Sequence, residues 1–216
     1  MRHAETDWRA KRRDKILAGA SRLFGRTAYE SVQMDDVATA AGVGKATLYR
    51  YFPSKDHLYL EVCSRAFAKL DKDLRAAADL PPSKALAGMI IALVDVLADQ
   101  ISSLRLLSGE RAPVADGWRT LYHRERRTII DALRKVLAAG IEAGEFRAVD
   151  LEVAPRLLLG LVRGGLAMSD GLGRAELTTA ILDLVFSGTK MPTETHERRG
   201  TIPRARSRTS RSMRVS

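Results

Sequence analysis

One stretch of 14 residues, GVGKATLYRYFPSK at 42–55, restricts the possible folds more than any other part of this sequence. Leu48 and Phe52 stand four residues apart, which places both on one buried side of a short helix predicted over 44–52. Pro53 ends that helix, because the residue before a proline is disfavoured in the helical region. The stretch therefore predicts a short helix with one apolar side and one polar side.

A second short helix precedes this stretch. It is predicted over about 34–41, because four apolar residues recur with the spacing of one helical face: Met34, Val37, Ala38 and Ala41. Gly42-Val43 follows as a tight turn. Two short helices joined by a glycine-containing turn predict a helix-turn-helix over 33–52.

Helical periodicity continues along most of the chain, whereas alternating β-branched runs and hairpin turn signals are absent from the sequence. The predicted fold class is therefore all-α. A proline pair at 81–82 marks a break, and a loop is predicted at 113–117. The other predicted helices are one carrying the apolar stripe of Ile16, Leu17, Ala20, Leu23 and Phe24, one from the Ser54 cap to about 78, and those near 83–101, 103–111, 118–143, 150–169 and 174–187.

Length and composition fit a globular protein of more than one domain. The chain has 216 residues, of which 45% are apolar. We expect one helical domain at 10–70, a second helical domain at 83–190, and a disordered basic tail at 191–216. One cysteine and four scattered histidines offer no local metal motif, and no cofactor is expected. The start of the chain lacks an apolar signal segment, so we expect a cytoplasmic protein.

The net charge of +10 is concentrated at the two ends of the chain. Residues 1–60 carry 11 Lys or Arg against 7 Asp or Glu, giving +4, and residues 191–216 carry 7 against 2, giving +5. Residues 61–190 carry only +1. This distribution is expected when the ends meet an anion. The basic residues at 9–15 and the arginines of the tail can each follow a phosphate backbone, or each can be a solvated surface.

The polar side of the helix at 44–52 has the composition of a DNA-reading surface. Counting 100° per residue places Ala46 and Arg50 opposite the buried side, between Thr47 and Tyr49. A small residue lets the helix approach a groove closely, and arginine can contact guanine O6 and N7. The residues predicted at the rims, where phosphates would lie, are Lys45, Tyr51 and Lys55.

Lys45 occupies the first turn of this helix, where the helix dipole disfavours a cation by about 0.3–1 kcal/mol. One interpretation is a lysine merely tolerated at a surface. The other is that its partner lies outside the chain, as a phosphate bound at the helix N-terminus. The combination of turn glycine, polar helix, basic flank and proline stop favours the phosphate.

The residues at 10–70 resemble the DNA-binding domain of the TetR family of transcriptional regulators. The pattern comprises the stripe Ile16, Leu17, Ala20, Leu23 and Phe24, then Val37, Ala38, Ala41, Gly42 and Val43, then Thr47, Leu48, Tyr49, Tyr51, Phe52, Lys55 and Leu58. The resemblance implies a homodimer that binds a palindromic operator and releases it when a small ligand enters the second domain. It also implies groove contacts by Thr47 and Arg50, and mainly phosphate contacts by Lys45, Tyr49, Tyr51 and Lys55. Gln33 and Gly44 depart from the family pattern.

A candidate ligand site lies on the long helix near 118–143, whose apolar face carries Glu125 near its middle. A buried carboxylate is costly unless it is paired. Glu125 can therefore form an ion pair with a nearby arginine. Alternatively, it binds a cationic or hydrogen-bonding ligand, with Trp118 and Tyr122 stacking beside it.

The helices near 150–169 and 174–187 are candidates for a dimer interface. The first is apolar on two sides, and a helix apolar on two sides needs two partners. By resemblance, both helices would pair with their copies in a four-helix interface. The alternative is burial within one subunit.

Three other functions compete with a regulator. An enzyme is disfavoured, because the sequence has no phosphate-binding glycine loop, nucleophile elbow or Cys/His cluster. A protein that coats or bends DNA without sequence preference would use the basic ends but leaves the near-neutral second domain unexplained. A protein-binding adapter would have no need of the set Lys45, Thr47, Tyr49 and Arg50. The sequence thus predicts a ligand-responsive, dimeric DNA-binding regulator, most often a repressor.

Overall fold

The computed structural model describes residues 2–98, 116–168 and 172–189, without the side chains of residues 2–7, 116, 118 and 189. The predicted helix at 103–111 and the tail at 191–216 lie outside these ranges. The described residues form α-helices and one short 3-10 turn at Tyr29–Ser31, with no β-strand, so the all-α prediction is confirmed. In chain order the helices are α1 Arg2–Arg26, α2 Met34–Ala41, α3 Lys45–Tyr51, α4 Lys55–Ala78, α5 Pro82–Ala98, α6 Asp116–Glu142, α7 Ala154–Ala167 and α8 Arg174–Thr189.

The helix-turn-helix has nearly the predicted bounds. α2 covers the predicted residues 34–41. α3 is one residue shorter at each end than the predicted 44–52, because Gly44 and Phe52 have extended backbone conformations and act as its caps. The Ser54 hydroxyl accepts the backbone N–H of the third residue of α4 at 3.1 Å, as a helix-capping serine does.

Two predicted boundaries in the second half are wrong. The loop predicted at 113–117 ends earlier, since α6 already begins at Asp116. The helix predicted from residue 150 begins at Ala154. The cause is the Asp150 carboxylate, which accepts the backbone N–H groups of Glu152 at 2.7 Å and Val153 at 3.0 Å and so forms a turn before α7.

Two clusters of buried apolar side chains hold the described helices together. The N-terminal core lies among α1 to α4 and includes Ile16, Phe24, Val37, Leu48, Phe52 and Tyr59. The C-terminal core lies among the second half of α4 and α5 to α8 and includes Leu70, Leu93, Leu133, Phe146, Val162 and Ile181. α4 contributes to both cores, and so does α6 through Leu121, so two uninterrupted helices connect them.

α5 is the central helix of the second half and packs against α4, α6, α7 and α8. Nine of its 17 residues are buried, which is expected of a helix with partners on several sides. Although α5 is strongly apolar, neither it nor any other helix in the described ranges is long and apolar enough to cross a membrane.

Candidate functional site

The turn between α2 and α3 fixes the direction of the second helix. Gly42 has φ +60°, a left-handed conformation that favours glycine. The N–H of Gly42 donates to Thr39 O and the N–H of Val43 donates to Ala38 O, both at 3.0 Å. This pair of bonds ends α2 in a Schellman motif. The chain can then turn directly into α3.

The exposed side of α3 carries the residues predicted from the sequence. Leu48 and Phe52 are each 0% exposed and anchor the helix in the N-terminal core. The opposite side is open to solvent at Lys45, Ala46, Tyr49 and Arg50, while Thr47 and Tyr51 are partly buried at its edges. The guanidinium of Arg50 lies 5.8 Å from the centroid of the Tyr51 ring. The structure thus brings these six predicted DNA-binding residues together on one short helix.

Lys45 has a partner within the chain, and the expectation that its partner lies only outside is wrong. Its ammonium nitrogen lies 2.9 Å from Oδ1 and 3.0 Å from Oδ2 of Asp35 in the first turn of α2. Hydrogen bonding to Asp35, followed by its charge, raises the pKa of Lys45. Sequence spacing did not reveal the pair, because it depends on how the turn places the two helix starts side by side. The pair is exposed, so a phosphate can still reach Lys45.

Lys55 points inward, away from the side of α3 described above. Its ammonium group donates to the carbonyl oxygens of Tyr29 at 2.9 Å, Val32 at 3.1 Å and Glu30 at 3.2 Å. It also lies 4.4 Å from the centroid of the Tyr29 ring. An ammonium has three N–H donors, and these three carbonyls can occupy all of them. Lys55 therefore holds the 3-10 turn against the start of α4.

The Tyr29 hydroxyl makes a second link to the same helix, because it donates to the carboxylate of Asp56. Burial, followed by this hydrogen bond, raises the pKa of the Tyr29 hydroxyl above its ordinary value. The 3-10 turn is thus joined to α4 by two adjacent side chains. Neither contact was predicted from the sequence, in which Tyr29 stood only near the end of the first helix.

The predicted basic segment at 9–15 lies on α1. Arg13 forms an ion pair of 3.0 Å with Glu61 of α4, and its guanidinium lies 5.4 Å from the Phe52 ring centroid. Arg12 stacks over the ring of Trp8 at 4.7 Å. Arg13 therefore contributes to the packing of the domain. Arg9 and Lys15 are exposed, as both interpretations of the basic segment require.

The start of α2 is stabilised in spite of Gln33, which departs from the family pattern. The backbone N–H of Gln33 donates to Oδ2 of Asp36 at 3.2 Å. Asp36 occupies the third position of the helix, from which an acidic side chain reaches back to the cap residue.

Two of the three residues predicted to bind a ligand have described side chains, and these two contact different partners. Glu125 is paired with Arg124 at 2.7 Å, in agreement with the ion-pair alternative, and lines an open cleft of about 690 Å³ between α1, α4 and α6. Tyr122 instead accepts a hydrogen bond of 2.7 Å from Arg163 of α7 and packs against the N-terminal core. The side chain of Trp118 lies outside the described residues.

An apolar surface remains exposed on α7 and α8. Leu157 is 67% exposed and Leu184 is 61% exposed. A Cβ placed at Gly160 or Gly164 would meet no atom within 4 Å, so this side of α7 is open for close approach by another helix. Among the described residues, these two helices have the unpartnered apolar side that the sequence predicted for a dimer interface.

These features define a two-domain protein with an N-terminal helix-turn-helix and a helical second domain. The chain belongs to the TetR family of bacterial regulatory proteins. Residues 16–62 match the family model described as bacterial regulatory proteins of the tetR family, and residues 79–165 match the tetracyclin repressor-like C-terminal domain. The resemblance inferred from the sequence is therefore confirmed.

Individual relatives support the same assignment. The chain is 40% identical over 82 residues to the transcriptional repressor KstR of Mycobacterium tuberculosis, a match that covers 37% of each chain. The chain thus spans little more than a third of that relative. The crystal structure of PfmR from Thermus thermophilus superposes with a TM-score of 0.67 at 27% identity, over 80% of this chain and 97% of PfmR. AibR, solved with isovaleryl coenzyme A and operator DNA, shares the fold with a TM-score of 0.65 at 19% identity, over 82% of this chain and 99% of AibR.

Proposed function

We propose that this protein is a ligand-responsive transcriptional regulator, most simply a repressor, which binds a palindromic operator as a homodimer through α3. The observation that carries the proposal is the presentation of Ala46, Tyr49 and Arg50 on a helix anchored by buried Leu48 and Phe52. A helix of this kind at the second position of a helix-turn-helix fits the major groove. The protein acts in the cytoplasm, where bacterial DNA lies, and has no catalytic role.

The exposed residues of α3 divide into two kinds of DNA contact. Ala46 allows close approach, while Thr47 and Arg50 read base edges, with guanine the preferred partner of the guanidinium. Lys45, Tyr49 and Tyr51 contact phosphates, which fixes the register of the helix without reading sequence. Lys55 contributes indirectly, because it holds the 3-10 turn against the start of α4, directly after α3.

A homodimer is proposed through α7 and α8, within the second domain at 83–190. The exposed Leu157 and Leu184 lie on this surface, and no helix of the described residues covers them there. A two-fold axis between these helices would present two copies of α3 to DNA. The two half-sites would then lie about one or more helical turns apart, in multiples of about 10–10.5 base pairs.

The effector is proposed to be a small molecule that binds the second domain. It releases DNA only to the extent that it binds more tightly to a conformation in which the two recognition helices no longer fit successive grooves. Coenzyme A thioesters are a reasonable first class of compounds to screen, since AibR was crystallised with one.

The proposal is tested by selecting DNA fragments with the purified protein at near-physiological salt. Arg50→Ala is run in parallel, and Arg126→Ala serves as a control that removes an exposed arginine from α6. We expect a palindrome whose recovery weakens or changes at particular bases in Arg50→Ala and is unaltered in Arg126→Ala. Uniform weak binding that is equal in all three proteins and falls steeply with salt would favour the alternative, a nonspecific DNA-coating protein that uses its basic ends.

A further inference from the structure

Arg163 of α7 carries a positive charge that the described part of the protein does not neutralise. Its Nη1 donates to the Tyr122 hydroxyl at 2.7 Å, and its guanidinium lies 5.7 Å from the centroid of the Tyr122 ring. Its Nε is buried and has no hydrogen-bond partner. No carboxylate of the described residues lies within ion-pair distance of Arg163.

Arg134 has a similar burial to Arg163 but, unlike it, has carboxylate partners. Its guanidinium binds the carboxylates of Asp131 at 2.6 Å and Glu152 at 3.1 Å, and donates to Leu151 O at 3.3 Å. Arg134 therefore has two carboxylate partners and joins α6 to the turn that precedes α7. Arg163 also joins α6 to α7, but its partner is a neutral hydroxyl.

The chemistry of Arg163 points to an anion. A buried donor such as Arg163 Nε is unfavourable unless it is hydrogen-bonded, and the partly buried guanidinium forms stronger hydrogen bonds with an anion than with a neutral hydroxyl. Nε and Nη2 lie along one edge of the guanidinium, which matches the two oxygens of a carboxylate or a phosphate. Leu159 and Leu166, one turn to either side of Arg163 on α7, are buried in the C-terminal core, so this part of α7 borders an apolar core.

The position of Tyr122 connects this point to the DNA-binding half. Tyr122 accepts the hydrogen bond from Arg163 and also packs against the N-terminal core, which contains Leu48 and Phe52. An anion that takes the guanidinium competes with the Tyr122 hydroxyl for it. A ligand at Arg163 therefore alters a contact that reaches the domain carrying α3.

We propose that Arg163 binds the anionic group of the effector, a carboxylate or phosphate attached to an apolar body, between α6 and α7. This inference rests on the proposed function, since it assigns the chemical class of the effector. It differs from the interpretation drawn from the sequence, in which Glu125 would bind a cationic or hydrogen-bonding ligand. Glu125 is already paired with Arg124 and lines a different cleft.

The test uses matched probes and the full-length protein without DNA. Octanoate, octyl phosphate, octanol and octyltrimethylammonium share one apolar chain and differ in the head group, and the butyl and dodecyl series vary the chain length. Binding is measured by calorimetry and by thermal shift. We expect the carboxylate or the phosphate to bind about tenfold more tightly than the alcohol of equal length, and the ammonium not to bind.

Three variants separate binding from stability. Arg163→Gln should weaken anion binding about tenfold or more, while Arg163→Lys should retain part of it. Arg156→Gln is the matched control on the same helix, because Arg156 is exposed and already paired with Glu152 at 3.2 Å. The proposal is overturned if no anion binds, if the ammonium binds best, or if Arg163→Gln binds the anions as the wild type does. A melting temperature that changes in Arg163→Gln with unchanged anion affinity would assign the residue to structure alone.

The results of anion binding and operator selection together distinguish a failure of the Arg163 site from a failure of the proposed regulator function. If an anion binds through Arg163 but no operator is selected, the site is supported and the regulator proposal fails. If an operator is selected but the anions neither bind nor release it, the regulator proposal stands and the site fails. Where both hold, Tyr122→Phe removes the hydroxyl that competes with the anion, so anion binding should become tighter while the release of operator caused by the anion is reduced.

Discussion

The ammonium nitrogen of Lys45 lies 2.9 Å from Oδ1 of Asp35, so an exposed ion pair joins the first turn of α3 to the first turn of α2. The carboxylate offsets the unfavourable interaction of the lysine with the dipole of α3. It also places a negative charge beside the residues proposed to contact phosphates. Asp35 therefore favours the free protein and opposes DNA binding.

Asp35→Asn is expected to increase DNA affinity. The substitution releases Lys45 for a phosphate and removes a repulsive charge, so we expect a gain of roughly three- to tenfold at low salt that fades as salt is raised. Fluorescence anisotropy with operator and with random DNA measures the gain. Asp73→Asn, which breaks the exposed Lys69–Asp73 pair on α4, is the control with the same change of net charge. Equal gains in both variants would contradict a local effect of Asp35.

Lys55→Met is expected to act through stability. Removal of the ammonium leaves the carbonyl oxygens of Tyr29 and Val32 without this donor, which should lower the free energy of unfolding by about 1–3 kcal/mol. Urea denaturation measures this loss. Lys69→Met, which removes an exposed lysine paired along one helix, should change stability by less than about 0.5 kcal/mol. A normal stability together with a weaker salt dependence of DNA binding would instead assign Lys55 to a phosphate contact.

Leu157→Glu is expected to separate the proposed dimer. In a two-fold interface each subunit contributes one copy of residue 157, so the substitution buries two carboxylates. Sedimentation should therefore show monomers at concentrations where the wild type is dimeric. Operator affinity should fall by about a hundredfold or more, because each subunit then holds only one half-site. Leu80→Glu places the same charge at another exposed leucine, after α4, and should leave the dimer intact. Dissociation by both variants, or by neither, would count against α7 as the interface.

Cys63 is expected to be unreactive in the folded protein. Burial raises the pKa of its thiol to about 12, so at pH 8 the folded protein contains almost no thiolate. Labelling by an aromatic disulfide reagent should follow the rate of unfolding and accelerate in urea. Because the unfolded thiol ionises first as pH rises, this group should reduce stability progressively above about pH 9 and up to about pH 12. Rapid labelling of the folded protein at pH 8 would contradict the burial of this thiol.

The sequence predicted the exposed side of α3 because that prediction needed only local information. The spacing of Leu48 and Phe52 sets the rotation of a helix, and rotation decides which neighbours face solvent. The approximate positions of the described helices were predicted from the same periodicity of apolar residues. The family resemblance supplied the expectation of a dimer and of a ligand-binding second domain, which no local pattern could give.

Three contacts that sequence reasoning missed join residues distant along the chain. Lys45 and Asp35 are ten residues apart, Lys55 and Tyr29 are 26 apart, and Arg163 and Tyr122 are 41 apart. Each pair forms because of how helices are placed relative to one another, which one sequence read residue by residue does not determine. For the same reason, the sequence did not show that Glu125 and Tyr122, which share a helix, contact different partners.

The uninterrupted course of α4 through both cores has a mechanical consequence. Its 24 residues span about 36 Å, at about 1.5 Å per residue. A rigid rod of that length, tilted by about 5° at one end, moves its other end by about 3 Å, which is close to the roughly 3.4 Å rise of one base pair. A repacking of the second half that unfolds no helix can thus move each copy of α3 by nearly the rise of one base pair.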